Sequence, residues 1–121
     1  MAKLTSDRNT IRRDGVDFGF EAAEEIFAGA MVAMNSEGKV VAATGDGKNV
    51  IGVAQGRGSA GQKLAIRRGV FRFANDQDGI KLADVGSQCV VVDDQTVAKG
   101  DGGAIAGIIL DVDESGVWVK I

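Results

Sequence analysis

The feature that most constrains this chain is that it repeats itself. Residues 41–66, VAATGDGKNVIGVAQGRGSAGQKLAI, lie without a gap over residues 96–121, TVAKGDGGAIAGIILDVDESGVWVKI. Ala43, Gly45, Asp46, Gly47, Gly52, Gly61 and Ile66 fall on Ala98, Gly100, Asp101, Gly102, Gly107, Gly116 and Ile121. Val50, Val53 and Leu64 fall on Ile105, Ile108 and Val119. With two fewer residues allowed in the first turn, 29-GAMVAMNSEGK-39 lies over 86-GSQCVVVDD-94. The chain is therefore expected to hold one β-unit twice, each copy of about three to four strands.

The local pattern agrees. From Ala30 onward the chain is a series of short apolar runs: 30-AMVAM-34, 39-KVVAA-43, 50-VIGVA-54, 63-KLAIRRGVFRF-73, 88-QCVVV-92, 95-QTVA-98, 104-AIAGIIL-110 and 117-VWVKI-121. They are rich in β-branched residues and bounded by Gly, Asn, Asp or Ser, which is the signature of a small barrel or sandwich. In 63–73 the residues Val70 and Arg72 alternate with Phe71 and Phe73, and Gly69 marks a bulge or bend. Residues 21–27, EAAEEIF, read as one short helix of two turns at most.

The stretch 44-TGDGKNVIGVA-54 poses a choice between a phosphate loop and a turn. The phosphate-binding pattern G-x-x-x-x-G-K-[ST] fails twice, because Asn49 follows Lys48 and Ala42 stands where the first glycine belongs. A phosphate loop is needed once, whereas a turn that builds each half occurs twice. Gly-Asp-Gly is expected to be a turn, with glycine supplying positive φ and Asp bonding its own backbone. Ile51-Gly52 and Ala106-Gly107 are expected to mark a close backbone approach inside a strand.

Composition removes several kinds of chemistry. There is no histidine, hence no imidazole base or metal ligand. The single Cys89 cannot form an internal disulfide; in QCVVV it reads as a small core hydrophobe, and a thiolate nucleophile lacks its base. The carboxylates of 76-DQD-78, 93-DD-94 and 111-DVDE-114 read as solvated turns rather than acid–base pairs or cation sites. No catalytic, cofactor-binding or metal-binding residue is expected, and the protein is expected not to be an enzyme. The net charge of −3 argues against a nucleic-acid partner. No apolar run approaches the roughly 20 residues of a membrane span, and Met1–Thr10 lacks the apolar core of a signal peptide. A protein made in the cytoplasm, without a membrane partner, is the expectation.

Residues 1–20, MAKLTSDRNTIRRDGVDFGF, differ from the rest and divide the chain into an N-terminal arm, 1–20, and a β-barrel-like domain, 21–121. The arm is polar and basic. One reading is a loosely attached terminus; the other is an extended arm that orders on a partner surface. On the second reading Arg8, Arg12 and Arg13 supply charge, and Phe18 and Phe20 are apolar anchors at strand spacing. Within the domain Arg67, Arg68 and Trp118 are the exposed interface candidates; Trp118 faces outward if Val117 and Val119 take the core side and is a core residue in the reverse register, and its place over Lys63 in the repeat favours the outward one.

Segments 49-NVIGVAQG-56, 64-LAIRRGVFRF-73 and 104-AIAGIILDVDESGVWVKI-121, in that order, resemble the small capsid decoration, or cement, proteins of tailed bacteriophages. The resemblance covers roughly residues 28–121 and rests on glycine-and-valine patterns. Members are sometimes labelled recombinase-like, a label that needs the nucleotide loop missing here. The resemblance implies a mainly β fold, a small β-barrel or β-tulip-like domain. It implies a virion structural protein on the capsid exterior, a homotrimer that stabilises the shell with its N-terminal arm on the major capsid protein. It implies no cofactor and carries no catalytic residue. A head-fibre or tail module that binds a receptor or glycan is the alternative.

Overall fold

The computed structural model describes residues 3, 5, 6 and 17–121. Among them the chain is mainly β, with ten strands in two sets of five. The first set is β1 Asp17–Glu21, β2 Met31–Met34, β3 Val40–Ala42, β4 Val50–Ala54 and β5 Lys63–Arg67, in the order β1-β5-β4-β2-β3. The second is β6 Val70–Asn75, β7 Gln88–Asp93, β8 Thr96–Lys99, β9 Ile105–Asp113 and β10 Gly116–Lys120, a closed barrel in the order β10-β6-β8-β7-β9. Read around the ring, β6-β10-β9-β7-β8 is the order of β1-β5-β4-β2-β3.

The registers agree residue by residue. Phe18 and Phe20 lie opposite Ile66 and Leu64; Phe71 and Phe73 lie opposite Val119 and Val117. Met31, Val32 and Ala33 meet Val53, Gly52 and Val50, while Gln88, Cys89 and Val90 meet Ile108, Gly107 and Ile105. Both ladders slip by one residue at the same step, a β-bulge kept in each copy. The parallel pair Asn75–Val97 closes the second barrel; the first set is a five-stranded sheet whose edge strands meet only at an isolated parallel bridge, Ala22–Val40, at the matching place, which curls it into a first, incompletely laddered barrel. The Lys39–Glu21 ion pair, 3.3 Å, spans the next step along.

The duplicated unit is thus larger than the sequence match, since it begins at β1. Its last strand is also shifted by two residues from the gapless match. Leu64 and Ile66 correspond to Val117 and Val119, and Ala65, not Lys63, corresponds to Trp118. A strand alternates with period two, so a two-residue shift leaves every side chain on its original face and is invisible to an apolar pattern.

Two cores result. Phe73, Ile80, Cys89, Val91, Val97, Ala106, Ile109, Val117 and Val119 fill the second barrel together with Met31, Ala43 and Val53 from the first unit. Ala22, Ile26, Val32, Val40, Ala54, Leu64 and Ile66 fill the first. Neighbours on β2 and β4 therefore go to different cores: Met31 and Val53 to one, Val32 and Ala54 to the other. Strands buried on both faces read as continuous apolar runs, which is how MVAM and VIGVA look. Backbone bonds stitch the units: Met31 N–H to the Asp94 carbonyl at 2.9 Å and Ala104 N–H to the Gly45 carbonyl at 3.1 Å.

The helix expected over 21–27 does not form. Ala22 and Ile26 are both 1% exposed and four apart, so they mimic one helical face. Each is instead claimed by the connection between β4 and β5. Ala22 donates to the Gln62 carbonyl at 2.8 Å, and Ile26 exchanges both backbone bonds with Gly58 at 2.8 and 3.0 Å. The carboxylates find partners off the segment too, Glu24 accepting from the Ala42 amide at 3.0 Å and Glu25 from Arg57 at 2.7 Å. Two turns of isolated helix are marginal, and the tertiary bonds win. The described 3₁₀ turns lie elsewhere, at Asp76–Asp78 and Leu82–Asp84.

Gly-Asp-Gly is a turn in the first unit, closed by Gly47 N–H to the Thr44 carbonyl at 3.2 Å. Here its glycines are required for space rather than for the expected positive φ, a Cβ on Gly47 standing 2.8 Å from Thr44 Oγ1 and one on Gly45 3.1 Å from the Val91 carbonyl; in the second copy Gly100 does take positive φ, +142°. Asp94 and Glu114 lie in the turns after β7 and β9, while Asp93, Asp111 and Asp113 are strand residues; Asp93 accepts from the Gln95 amide and Asp113 from the Ser115 amide. Gly69, φ +156°, joins β5 to β6 across the two units, so the run 63–73 is two strands that do not pair with each other.

The close approach expected at Gly52 and Gly107 is present. A Cβ on Gly107 would lie 2.2 Å from the Lys120 carbonyl oxygen, and one on Gly52 2.9 Å from that of Arg67. Gly107→Ala is expected to lower stability by about 1–3 kcal/mol through overpacking against backbone. Gly102→Ala, with nothing within 4 Å of its Cβ, is expected to stay within about 0.5 kcal/mol of the parent. Urea midpoints at constant m-value measure both, and equal midpoints would remove the close-approach account.

Candidate interaction surfaces

The open end of the first barrel is an apolar cleft. Phe18 and Phe20 of β1, Met34 at the end of β2, Ile51 of β4 and Ile66 of β5 line about 240 Å³, and Arg68 stands at its rim. All are delivered by period-two alternation: Ile66 points inward between the exposed Ala65 and Arg67. The matching end of the second barrel is stopped. Phe71, Val50 and Ile121 pack against its core, and Ile121 donates to the Gly69 carbonyl at 2.9 Å. Counted along β5 and β10 from the paired phenylalanines, Arg68 occupies the position of Ile121. The first barrel has a cation where the second has an aliphatic stopper, and its mouth stays open among the described residues.

A second surface surrounds Trp118. Val117 and Val119 are fully buried, and Trp118 faces away from the barrel, half-covered. Its Nε1 donates to Asp113 Oδ2 at 3.2 Å, and the Arg72 guanidinium lies 5.8 Å from the ring centroid. Arg72 also donates to Ser115 Oγ at 3.2 Å. The β9–β10 turn and β6 therefore hold the ring in one orientation, an arrangement suited to an aromatic contact with a partner.

Of the residues singled out in the sequence, Phe18, Phe20 and Arg68 come together at the first mouth. Phe18 and Phe20 are wall residues of the duplicated unit, the counterparts of Phe71 and Phe73; the recurring F-x-F, at 18–20 and 71–73, is the sequence signal that marks them. Arg67 ends β5 opposite Asp17 and Val53, exposed beside Arg68. Trp118 lies at its own site. Arg8, Arg12 and Arg13 fall outside the described residues. Met34, Ile51 and Arg72 were not singled out, because only strand pairing brings them beside residues distant in sequence; Asp113 is brought to Trp118 by the β9–β10 hairpin.

Among the described residues, His, Cys, Asp and Glu form no group of three that would hold a metal ion. Cys89 is buried in the second barrel, its Sγ 3.7 Å from the Gly107 carbonyl, and burial raises its thiol to about 11. It is a protonated core residue at neutral pH.

The Asp113 carboxylate is pulled down to about 2, first by the Ser115 hydroxyl, then by Trp118 Nε1–H and the Ser115 amide. A carboxylate lowered in the folded state stabilises above its unfolded value, and that contribution is lost as pH falls through the folded one. Trp118, the single tryptophan, reports the event. Its emission in the folded protein is expected to titrate with a midpoint near 2, and Asp113→Asn to abolish the step. A midpoint in the ordinary carboxylate range, with far-ultraviolet dichroism unchanged, would show that the hydrogen bonds do not hold in solution.

No family model matches the chain, and no curated protein matches it.

Proposed function

We propose that this protein is a virion structural component that binds the outer surface of a tailed-phage head and stabilises the shell by bridging capsomers. The observation that carries the reading is the first barrel's mouth: an apolar cleft rimmed by Arg68 at the end of β1 where the basic N-terminal segment enters the fold. That placement puts charge and apolar surface on one face, which suits attachment to another protein.

The mechanism is mechanical. Packaged DNA pushes the shell outward, and joints between capsomers open first. A subunit seated across a joint adds contact area that must be broken before the joint gives. The double barrel suits this role because its units share a core and are cross-linked by backbone bonds. In a homotrimer three N-terminal segments engage the major capsid protein together. Avidity then raises attachment by roughly 10²–10⁴ over a single arm. Lys3 and Arg8 supply long-range attraction that salt weakens.

One observation favours a second reading. Trp118, held by Asp113 and flanked by Arg72, is a fixed aromatic platform beside polar groups, an arrangement able to stack on a sugar ring. On that reading the protein is a head-fibre or tail module that binds a glycan.

Co-sedimentation with empty, expanded heads separates the readings. The full chain is expected to saturate at a fixed number of copies per head that matches the threefold positions. A chain lacking residues 1–16, which removes Arg8, Arg12 and Arg13 and keeps β1 whole, is expected to stay folded and to be lost from the pellet. Saturation by the shortened chain would overturn the arm. No binding by the full chain at any salt concentration, together with glycan-dependent quenching of Trp118, would replace decoration by the second reading.

A further inference from the structure

The chain holds four Asp-Gly steps, at 14–15, 46–47, 78–79 and 101–102. This dipeptide is chemically exposed to its own backbone. Glycine has no Cβ to crowd an approach to its nitrogen, and its main chain turns with little restriction. The amide nitrogen can therefore reach the carboxyl carbon of the aspartate before it. A hydrogen bond from that amide opposes the reaction, because the N–H is then aimed at another acceptor and must leave it before the nitrogen can attack.

Asp14–Gly15 falls outside the described residues. Of the other three steps, the fold ties down two. The Gly47 amide donates to the Thr44 carbonyl at 3.2 Å, and the Gly79 amide to the Asp76 carbonyl at 3.0 Å. The loop around Asp78 is also clamped by the Asn75 side chain, which makes two bonds to the Ile80 backbone at 2.9 and 3.0 Å. Asp101–Gly102 differs. Residues 100–103 are exposed, and a Cβ on Gly102 would meet nothing within 4 Å. Among the described residues neither the Gly102 amide nor the Asp101 carboxylate has a partner. The ends of this turn are fixed, Lys99 by its pairing with Cys89 and Ala104 by its N–H bond to the Gly45 carbonyl at 3.1 Å. The two Gly-Asp-Gly copies are therefore unequal: the first is closed by a bond of its own glycine, and the second is held only at its ends.

We propose that Asp101–Gly102 is a site of isoaspartate formation, and that the modified turn is a substrate for a carboxyl methyltransferase that recognises isoaspartate. The Gly102 nitrogen attacks Asp101 Cγ. A C–N bond forms, and one carboxyl oxygen leaves as water with the carboxyl and amide protons, closing a succinimide ring. Water then adds to the main-chain carbonyl carbon of Asp101 and breaks its bond to the Gly102 nitrogen. The chain now runs through Cβ and Cγ, one atom longer, and a carboxylate stands on Cα. The methyltransferase moves a methyl group from S-adenosylmethionine onto that carboxylate. The added atom falls between the two fixed ends of an exposed turn, so the modified protein stays folded.

The full chain tests this without any shell, and the proposal does not rest on the decoration reading. Purified protein is held for weeks in neutral buffer and then cleaved after Lys and Arg, which places Asp46, Asp78 and Asp101 on separate peptides. Isoaspartate and aspartate have equal mass, and backbone fragment ions distinguish them. Isoaspartate is expected at Asp101 at several times its level at Asp46 or Asp78, with methyl uptake from S-adenosylmethionine rising in parallel. In guanidinium chloride, where the Gly47 and Gly79 bonds are lost, the three sites are expected to approach one another. Gly102→Ala is expected to lower the yield at Asp101 several-fold. Native protein that gains isoaspartate at Asp46 or Asp78 as fast as at Asp101 would overturn the proposal. So would native protein that gains none at Asp101 while the unfolded chain gains it there, or a modified turn that takes up no methyl group.

Discussion

β2 and β4 hold this molecule together by serving two cores at once. Met31 and Val53 point into the second barrel, and their neighbours Val32 and Ala54 point into the first. A strand can do this only if its two faces are both apolar and its backbone lies between two filled spaces about 10 Å apart. The second barrel's core is completed by Met31, Ala43 and Val53 of the first unit, and backbone bonds such as Met31 N–H to the Asp94 carbonyl tie the halves together. Removing a buried aliphatic group from such a strand leaves a void in one core and strains the ladder that serves the other. This sharing lets a chain of 121 residues with no disulfide carry two small barrels, each too small to be secure alone.

The duplication also explains why the two ends of the molecule differ. One plan was used twice, down to the same slip in the β2–β4 and β7–β9 ladders and the same glycine packed against a neighbouring carbonyl. The copies diverge where one can lean on the other. The mouth of the second barrel is stopped by Val50 of the first unit and by Ile121. Among the described residues the first unit has no such neighbour, and Arg68 stands in place of the aliphatic stopper. Asymmetry at this mouth gives the molecule one apolar, cation-rimmed surface. The Trp118 platform is distinct, set on the outer wall of the second barrel by Arg72, Asp113 and Ser115. A surface for docking and a fixed aromatic contact can thus be built without disturbing either core.

Much of the fold was legible because strand physics writes plainly. Alternation in 63–73, the continuous runs of β2 and β4 and the glycine punctuation marked strands and turns, and the match of 41–66 with 96–121 marked the repeat. Other features were misleading for specific reasons. Ala22 and Ile26 stand at helical spacing but are held by Gln62 and Gly58, and nothing local in EAAEEIF announces those partners. Lys63 was matched to Trp118, although Ala65 is the true counterpart, because a slip of two keeps every face in place. Phe18 and Phe20 read as anchors on an arm, and the structure makes them barrel wall. The candidate site was legible in part. Arg68 and the two phenylalanines were visible as residue types, but the cleft they share with Met34, Ile51 and Ile66 was not.

By itself the sequence determined the class of fold, the number of times its unit occurs and the faces of its strands, since all three follow from periodicities of two and of about fifty residues. It also determined that Cys89 is a core thiol. Only the tertiary structure decided which strands pair, that the unit has five strands, that Gly69 separates the two units, and that one mouth is stopped while the other is open among the described residues. Those depend on contacts between residues far apart in the chain. A local pattern records which face of a strand is apolar, but it does not record what the face meets.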